Sequence, residues 1–451
     1  MTAHPSAAKL FKARLNKTTL RNTFDEFIAD GASVGRDGVK LDAFKNRLDE
    51  EINIILRKVK ACSFEFTSYK EKLMSKGAGK APRQVSIPTI RDKLVLKFLS
   101  ELLAEIYPDQ RPPLPHTIIR RVHEVSRTRP DTDYYLRLDV KNYYPSIDHK
   151  ILMRIIRRRI RTKPIVHLIE NAIKTPTGKP KAAENLNVRG VPQGLSISNI
   201  LAFIYLVDID NQLSNDPIID YFRYVDDILL VAGPERVDLM EKTVPLLLRQ
   251  RRKLKCHPVG KSAKSIKVKL IEGIEYLGYR FCGDSIEVRS SSLKKMFENV
   301  MKIVTGLKYK KDKWQRIWRL NLRISGCQLN GRRIGWLFFF SQSKNLKQLK
   351  HLDAFVAKHA GKVLPSTDLT SLKRFVKAYH EIKFNMAKTK YFPNFDAFDS
   401  EQKKAQIKVL QPKTTDEKLE ALSPKQLDDL FHKCIRREVA DLETDMMEVF
   451  S

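Results

Sequence analysis

The chain has 451 residues, with 84 Lys and Arg against 52 Asp and Glu, a formal charge of +32 at pH 7 and an isoelectric point near 9.8. At 42% hydrophobic and without low-complexity segments, it is globular material with room for a sizeable core, and its cationic excess points to a polyanionic partner, most simply nucleic acid. Five scattered cysteines (Cys62, Cys256, Cys282, Cys327, Cys434) argue against a disulfide framework or a zinc site.

In chain order, residues 1–60 read as helices, with Val34-Gly-Arg-Asp-Gly-Val39 as a turn-rich insertion between them. Phe64 to Tyr69 alternates, Lys72 to Arg83 is basic and glycine-containing, Val85 to Pro88 is a strand candidate, and Asp92 to Ile106 is a helix with an apolar face. Pro108 to Pro115 breaks the chain as a loop. Asp133 to Val140 is a buried strand, and residues 148–173 are helical. Within them Arg154, Arg157, Arg158, Arg159 and Arg161 form a run that is either a solvated face or a surface for a phosphate backbone. A loop, Gly190 to Gly194, opens an apolar helix from Leu195 to Leu213, and a further helix surrounds Val237 to Arg252. Ile274 to Phe281 and Ser285 to Val288 suggest a hairpin, and from about residue 290 the pattern is helical, with a boundary near Pro365. No signal peptide is visible, and the apolar run Ile200 to Val207 is too short to span a bilayer, so a soluble cytoplasmic protein without membrane contact is expected.

Chemistry concentrates at Tyr221-Phe-Arg-Tyr-Val-Asp-Asp-Ile-Leu-Leu-Val-Ala232. Two short apolar strands flank a tight turn carrying Asp226 and Asp227. Burying ionised carboxylates is costly unless a cation neutralises them, and hard oxygen ligands suit Mg²⁺. An Asp-Asp hairpin turn without function is the plain alternative. A second carboxylate, Asp139, ends the apolar strand in Leu136-Arg-Leu-Asp-Val-Lys-Asn-Tyr-Tyr-Pro145. Phosphoryl transfer with two metal ions about 3.5–4 Å apart needs carboxylates from separate strands. Asp139 with Asp226 and Asp227 supplies them if the strands are neighbours.

These stretches resemble the reverse transcriptases, RNA-directed DNA polymerases built as fingers, palm and thumb. Asp139 sits in an Asp-x-x-x-x-aromatic pattern, Tyr224-Val-Asp-Asp227 matches the Tyr-x-Asp-Asp motif, and Gly190-Val-Pro-Gln-Gly194 matches the Pro-Gln-Gly loop. The order is that of the family. The resemblance implies an α+β right-hand polymerase fold: an N-terminal helical extension (1–60), fingers (61–132), a palm with an antiparallel sheet and finger insertions (133–289), a helical thumb (290–365) and a C-terminal helical extension (366–451).

It also implies roles. Asp139, Asp226 and Asp227 are catalytic and, with Val140, hold two Mg²⁺ ions, or Mn²⁺ in vitro. Tyr144 resembles the steric gate against ribonucleotides, a place its neighbour Tyr143 could equally take. Lys80 and Arg83, in Gly79-Lys-Ala-Pro-Arg-Gln-Val-Ser-Ile-Pro88, resemble the triphosphate clamp of the fingers, which Arg91-Asp-Lys93 continues. Gln193 and Lys261 complete the dNTP site. Tyr224, the primer-grip-like Tyr276, Leu277 and Gly278, and Trp314 and Arg316 of the thumb are expected against primer and template. Trp314 and Trp318, four apart, share a helical face that could instead be core. Gly35-Arg-Asp-Gly-Val39 resembles an element of group II intron-type enzymes. Without a Cys/His nuclease cluster or an RNase H set, the chain is similar to stand-alone bacterial reverse transcriptases of antiphage defence. The implied partners are dNTPs, an RNA template in the form of an associated noncoding RNA, the DNA product, a second reverse transcriptase or effector protein, and further copies of the chain. An intron maturase-type enzyme, an RNA-dependent RNA polymerase and a catalytically dead RNA-binding scaffold are the alternatives.

Overall fold

A computed structural model describes residues 6–447 except 30, 76–78, 80, 111–112, 261–263 and 307–312. The chain divides into two compact units, one of Met1–Leu114 with Thr132–Lys269, the other of Pro115–Asp131 with Leu270–Ser451. Helices and short antiparallel strands alternate, the α+β class expected from the sequence.

The first unit opens with helices Ala7–Arg14, Lys17–Phe27 and Leu48–Lys60, which pack around the helix Ile90–Ile106. Their ends follow capping chemistry: the Ser6, Asn16 and Thr89 side chains each accept a backbone N–H of the first turn. A separate hairpin pairs β1 (Lys70–Met74) with β2 (Arg83–Ile87). Four strands form the central sheet: β3 (Tyr134–Asp139), β4 (Asp220–Tyr224), β5 (Asp227–Ala232) and β6 (Ile266–Lys269), in the order β4-β5-β3-β6, all antiparallel. Ile228 to Ala232 are fully buried, so β5 is apolar on both faces. The helix Pro234–Arg252 lies against β3 and β5.

The single helix expected over Leu195 to Leu213 is two, Ser198–Tyr205 and Val207–Ser214, broken at Leu206. Asp208 and Asp210 just past the break pair with Arg252 and Arg223.

The second unit holds the sheet β7 (Ile274–Tyr276), β8 (Tyr279–Cys282) and β9 (Ser285–Val288), with the helix Pro115–Thr128 packed on β8. That helix follows a proline-rich break and starts on proline, whose fixed φ suits a first helical turn. The stretch expected to be wholly helical contains a hairpin, β10 (Cys327–Leu329) with β11 (Arg332–Ile334). Its turn, Asn330-Gly331, has φ values of 52° and 67°, the geometry that Asn-Gly turns favour. Both turn N–H groups donate to the Asp396 carboxylate, at 2.6 and 2.9 Å. One core joins Leu322, Leu329 and Ile334 to Phe395, Ile407, Phe431 and Ile435, so hydrophobic packing runs straight past Pro365. No helix among the described residues is long and apolar enough to cross a membrane.

Candidate active site

Tyr224 pairs with Asp227 across the β4–β5 ladder, leaving Val225 and Asp226 as a two-residue loop. Val225 has φ 56°, a conformation that a β-branched residue adopts only under strain. What holds it is visible beneath the turn. The buried Arg223 guanidinium donates to the Val225 carbonyl at 2.9 Å, forms a two-pronged ion pair with Asp210, and lies over the Phe203 ring at 4.3 Å. Tyr221 donates to the same Asp210 carboxylate at 2.6 Å. The loop is therefore propped from below by a satisfied ionic network.

Asp139 and Asp227 are register partners on adjacent strands, and the Val140 N–H donates to the Asp226 carbonyl at 3.0 Å. This places all three carboxylates at one end of the sheet. They are not equivalent. Arg137, two residues before Asp139 on the same face of β3, grips Asp227 with two hydrogen bonds of 2.8 and 2.7 Å. Asp139 lies 3.3 Å from His257 Nε2 and 3.8 Å from Lys264 Nζ, and its N–H donates to the Ser265 hydroxyl. Burial, reinforced by the neighbouring Asp139 and Asp227 charges, pushes the Asp226 carboxyl up to about 6.

A divalent cation bound there would offset the clustered negative charge. Among the described residues, no three His, Cys, Asp or Glu side chains form a metal set by themselves. Asp139 and Asp226 instead offer two carboxylates, and Mg²⁺ is commonly held by one or two carboxylates plus substrate phosphates and water. The residues fit a cation site that substrate completes.

Around this end of the sheet the other expected residues sort clearly. Tyr143 is fully buried, its hydroxyl donating to the Ala202 carbonyl, whereas Tyr144 is 8% exposed. The Tyr144 hydroxyl donates to Asn199 Oδ1 at 2.6 Å, and burial and the nearby Asp226 charge raise its pKa. Of the two tyrosines, Tyr144 therefore faces the carboxylates. Gln193 joins the loop to β2: its side chain accepts from Arg83 Nε at 2.6 Å and its carbonyl accepts the Ser86 N–H at 2.7 Å. Gly194 has φ 99°, and a Cβ there would stand 2.6 Å from Val85 Cγ1, so only glycine lets the loop approach β2 this closely.

Other expectations land elsewhere. Lys80 and Lys261 lie outside the described residues. In the Arg91-Asp-Lys93 stretch, Arg91 pairs with Glu51, Asp92 is buried, and Lys93 reaches the Gly31 carbonyl. Gly35 meets the backbone of Pro88 and Thr89 so closely that a Cβ would lie 2.6 Å from Thr89 Cα. Gly35 is thus a close-packing position in the first unit.

In the second unit, Tyr276 pairs with Tyr279, and Leu277 and Gly278, with φ values of 47° and 83°, form the two-residue turn between them. Trp314 is exposed, while Trp318 donates to Gln406 at 3.0 Å and packs near Phe395, so the two do not share one buried face. Arg316 tucks against the end of the preceding helix, where a Cβ on Gly306 would overlap its guanidinium.

Sequence reasoning missed Arg137, Arg223, His257 and Lys264. The signal for the first two was an arginine interrupting each strand that leads to a catalytic-type aspartate.

An antiparallel sheet carrying paired carboxylates at one end, a tight Tyr-Val-Asp-Asp turn beside them and a glycine-rich loop closing on the β1–β2 hairpin form an arrangement consistent with a right-hand polymerase fold. Residues 68–281 match the family model of the reverse transcriptase (RNA-dependent DNA polymerase). Reverse transcriptase domains generally use divalent metal ions. The chain is 28% identical over 187 residues to an uncharacterized 91 kDa protein in a cob intron of Schizosaccharomyces pombe, over 40% of this chain and 23% of that protein. It is 28% identical over 193 residues to protein YkfC of Escherichia coli, over 40% of this chain and 49% of YkfC. It is 25% identical over 183 residues to the group II intron-encoded protein LtrA of Lactococcus lactis, over 38% of this chain and 30% of LtrA. The alignments span less than half the length of each of these relatives.

Proposed function

We propose that the chain copies RNA into DNA by two-metal nucleotidyl transfer. The observation that carries this reading is the adjacency of Asp139 and the raised carboxyl of Asp226 at the tip of a strained turn, with Arg83 and Gln193 hydrogen-bonded to each other nearby. In this reading the primer 3′ oxygen attacks the α-phosphorus of a dNTP, a new phosphodiester bond forms, and the bond to pyrophosphate breaks. A Mg²⁺ pair, when bound, would supply Lewis acidity for the attacking hydroxyl and counter-charge for the leaving pyrophosphate. Asp139 and Asp226, with the Val140 carbonyl, would hold the ions, and Asp227 acts beside them through Arg137. Arg83 and Lys80 would bind the triphosphate and Tyr144 would crowd the sugar 2′ position. Lys261 would stand near the leaving group, and Tyr224 with the Tyr276–Gly278 turn and Trp314 would meet primer and template.

The test is primer extension on an RNA template with Mg²⁺ and dNTPs. Asp139→Asn or Asp226→Asn should cut the rate by roughly 10³-fold or more, since such groups supply several kcal/mol of transition-state stabilisation. Undiminished extension by either folded variant rejects the mechanism.

Two biological settings follow from different supports. The intron-borne relatives support a mobile-element enzyme. The likeness to stand-alone defence reverse transcriptases supports a cytoplasmic complex with a dedicated noncoding RNA, a second polymerase or effector, and further copies of the chain. Sequencing the nucleic acid that co-purifies with the protein decides: one abundant RNA with attached cDNA supports defence, and intron RNA supports the mobile element.

A further inference from the structure

A cavity of about 570 Å³ opens between the helices His149–Arg159, Val207–Ser214 and Pro234–Arg252, and it shares no residue with the candidate active site. Six cations line it, Lys150, Arg154, Arg158, Arg251, Arg252 and Lys253, against two carboxylates, Asp148 and Asp208, a formal excess of four positive charges. The carboxylates are already committed. Asp208 holds Arg158 at 3.0 Å and Arg252 at 3.1 Å, and Asp148 holds Lys253 at 2.7 Å while capping the first helix. Arg251 donates to Gln212. Lys150 and Arg154, both exposed, have no carboxylate within ion-pair distance among the described residues.

The floor is rigid. The Tyr205 hydroxyl accepts the Asp148 N–H and donates to the Arg252 carbonyl, and Arg252 is itself buried. Fixed cations over a fixed floor form a preorganised anion site.

We propose that this cavity docks the phosphodiester backbone of double-stranded RNA, independently of sequence and apart from the catalytic end of the sheet. The chemistry of the lining selects this ligand. None of the lining residues is aromatic, so nothing there stacks on a base, as single-strand and nucleotide sites require. Four arginines, Arg154, Arg158, Arg251 and Arg252, supply forked donors suited to phosphate oxygens. The volume exceeds a single phosphate and matches a short run of backbone. The neighbouring Arg157 and Arg161 continue the basic surface beyond the cavity.

The test measures binding of the full chain to a fluorescent RNA hairpin of about 20 base pairs by anisotropy, across a series of KCl concentrations. Each phosphate contact contributes close to one to the slope of log K against log[salt]. The variant Lys150→Gln/Arg154→Gln should show a slope shallower by about two, and binding about tenfold or more weaker at moderate salt. Lys150→Gln alone should show half that change. Because neither side chain has a carboxylate partner to lose, melting temperatures should match wild type. Extension of a short primer-template too small to reach the cavity should also be unchanged, which separates this proposal from the polymerase reading. An unaltered salt slope in the folded double variant overturns the proposal. So does displacement of the RNA by polyglutamate at equal charge, which would indicate an acidic protein partner, or by micromolar inorganic phosphate, which would indicate a free-anion site.

Discussion

Arg137 and Asp227 meet diagonally across the β3–β5 ladder and exchange two hydrogen bonds, at 2.8 and 2.7 Å, in a setting where their side chains are 19% and 15% exposed. The second aspartate of the Tyr-Val-Asp-Asp turn thus has a cation of its own, built into the strand that carries Asp139. Removing one member of a buried pair costs about 3–5 kcal/mol, because the survivor is left uncompensated. Arg137→Met should therefore destabilise the fold by a few kcal/mol in urea unfolding. Asp227→Asn in the same background should recover part of the loss, with a coupling of at least about 1 kcal/mol in a double-mutant cycle. Strictly additive effects would mean the pair is not the support it is taken to be.

Tyr144 is held by its hydroxyl on Asn199 while its ring stands near Asp226. If the ring excludes a 2′-hydroxyl, Tyr144→Ala should reduce the preference for dNTPs over rNTPs by roughly 10–100-fold, the scale of a steric discrimination worth 1–3 kcal/mol. Tyr144→Phe keeps the ring and should keep the preference. Single-nucleotide incorporation assays with paired dNTP and rNTP read both, and equal discrimination by the alanine variant would remove the gate from this position.

The Arg83–Gln193 bond links the β1–β2 hairpin to the glycine-rich loop. Charge-assisted bonds to phosphate contribute about 1.5–3 kcal/mol. Arg83→Ala should raise the KM for dNTPs about tenfold or more, and Arg83→Lys, which restores charge without the fork, should recover only part. A KM unchanged in Arg83→Ala would show that the arginine serves the loop and not the nucleotide.

Asp92 carries the pH signature of the first unit. Burial raises its carboxyl to about 7, opposed by the Thr89 hydroxyl and the Thr67 N–H. An acid whose folded value lies above its unfolded value weakens the fold once ionised. The penalty is absent below about pH 4, grows through the interval to about 7, and is complete above it. Asp92→Asn should then gain stability over wild type as pH rises from 4 to 8, by at most about 4 kcal/mol at about 1.36 kcal/mol per unit. Thermal melts across that range test it, and a difference that stays flat with pH contradicts the burial argument.

Much of the site could be read before any fold was known, because its parts are local. Asp139 ends an apolar strand, Asp226 interrupts another, and Gly190 to Gly194 announces a turn. Arg137 and Arg223 escaped notice because a charged residue within a short strand gives no hint of which neighbour neutralises it. That depends on β3 lying beside β5, and on a helix presenting Asp210 beneath β4. The choice between Tyr143 and Tyr144 turned on one residue of helical rotation, beyond the reach of composition. The β10–β11 hairpin is different. Its Asn330-Gly331 turn was legible, but strands of three residues amid amphipathic helices give too weak an alternation to stand out.

The Asp396 carboxylate that receives both N–H groups of the Asn330-Gly331 turn lies 65 residues from the nearer of them in sequence. Phe395 beside it sits in the same apolar cluster as Leu329 and Ile334. A chimaera joined near Pro365 would therefore cut through shared packing. Anyone grafting this C-terminal region onto another polymerase must carry the hairpin with it, because the chain offers no clean seam there.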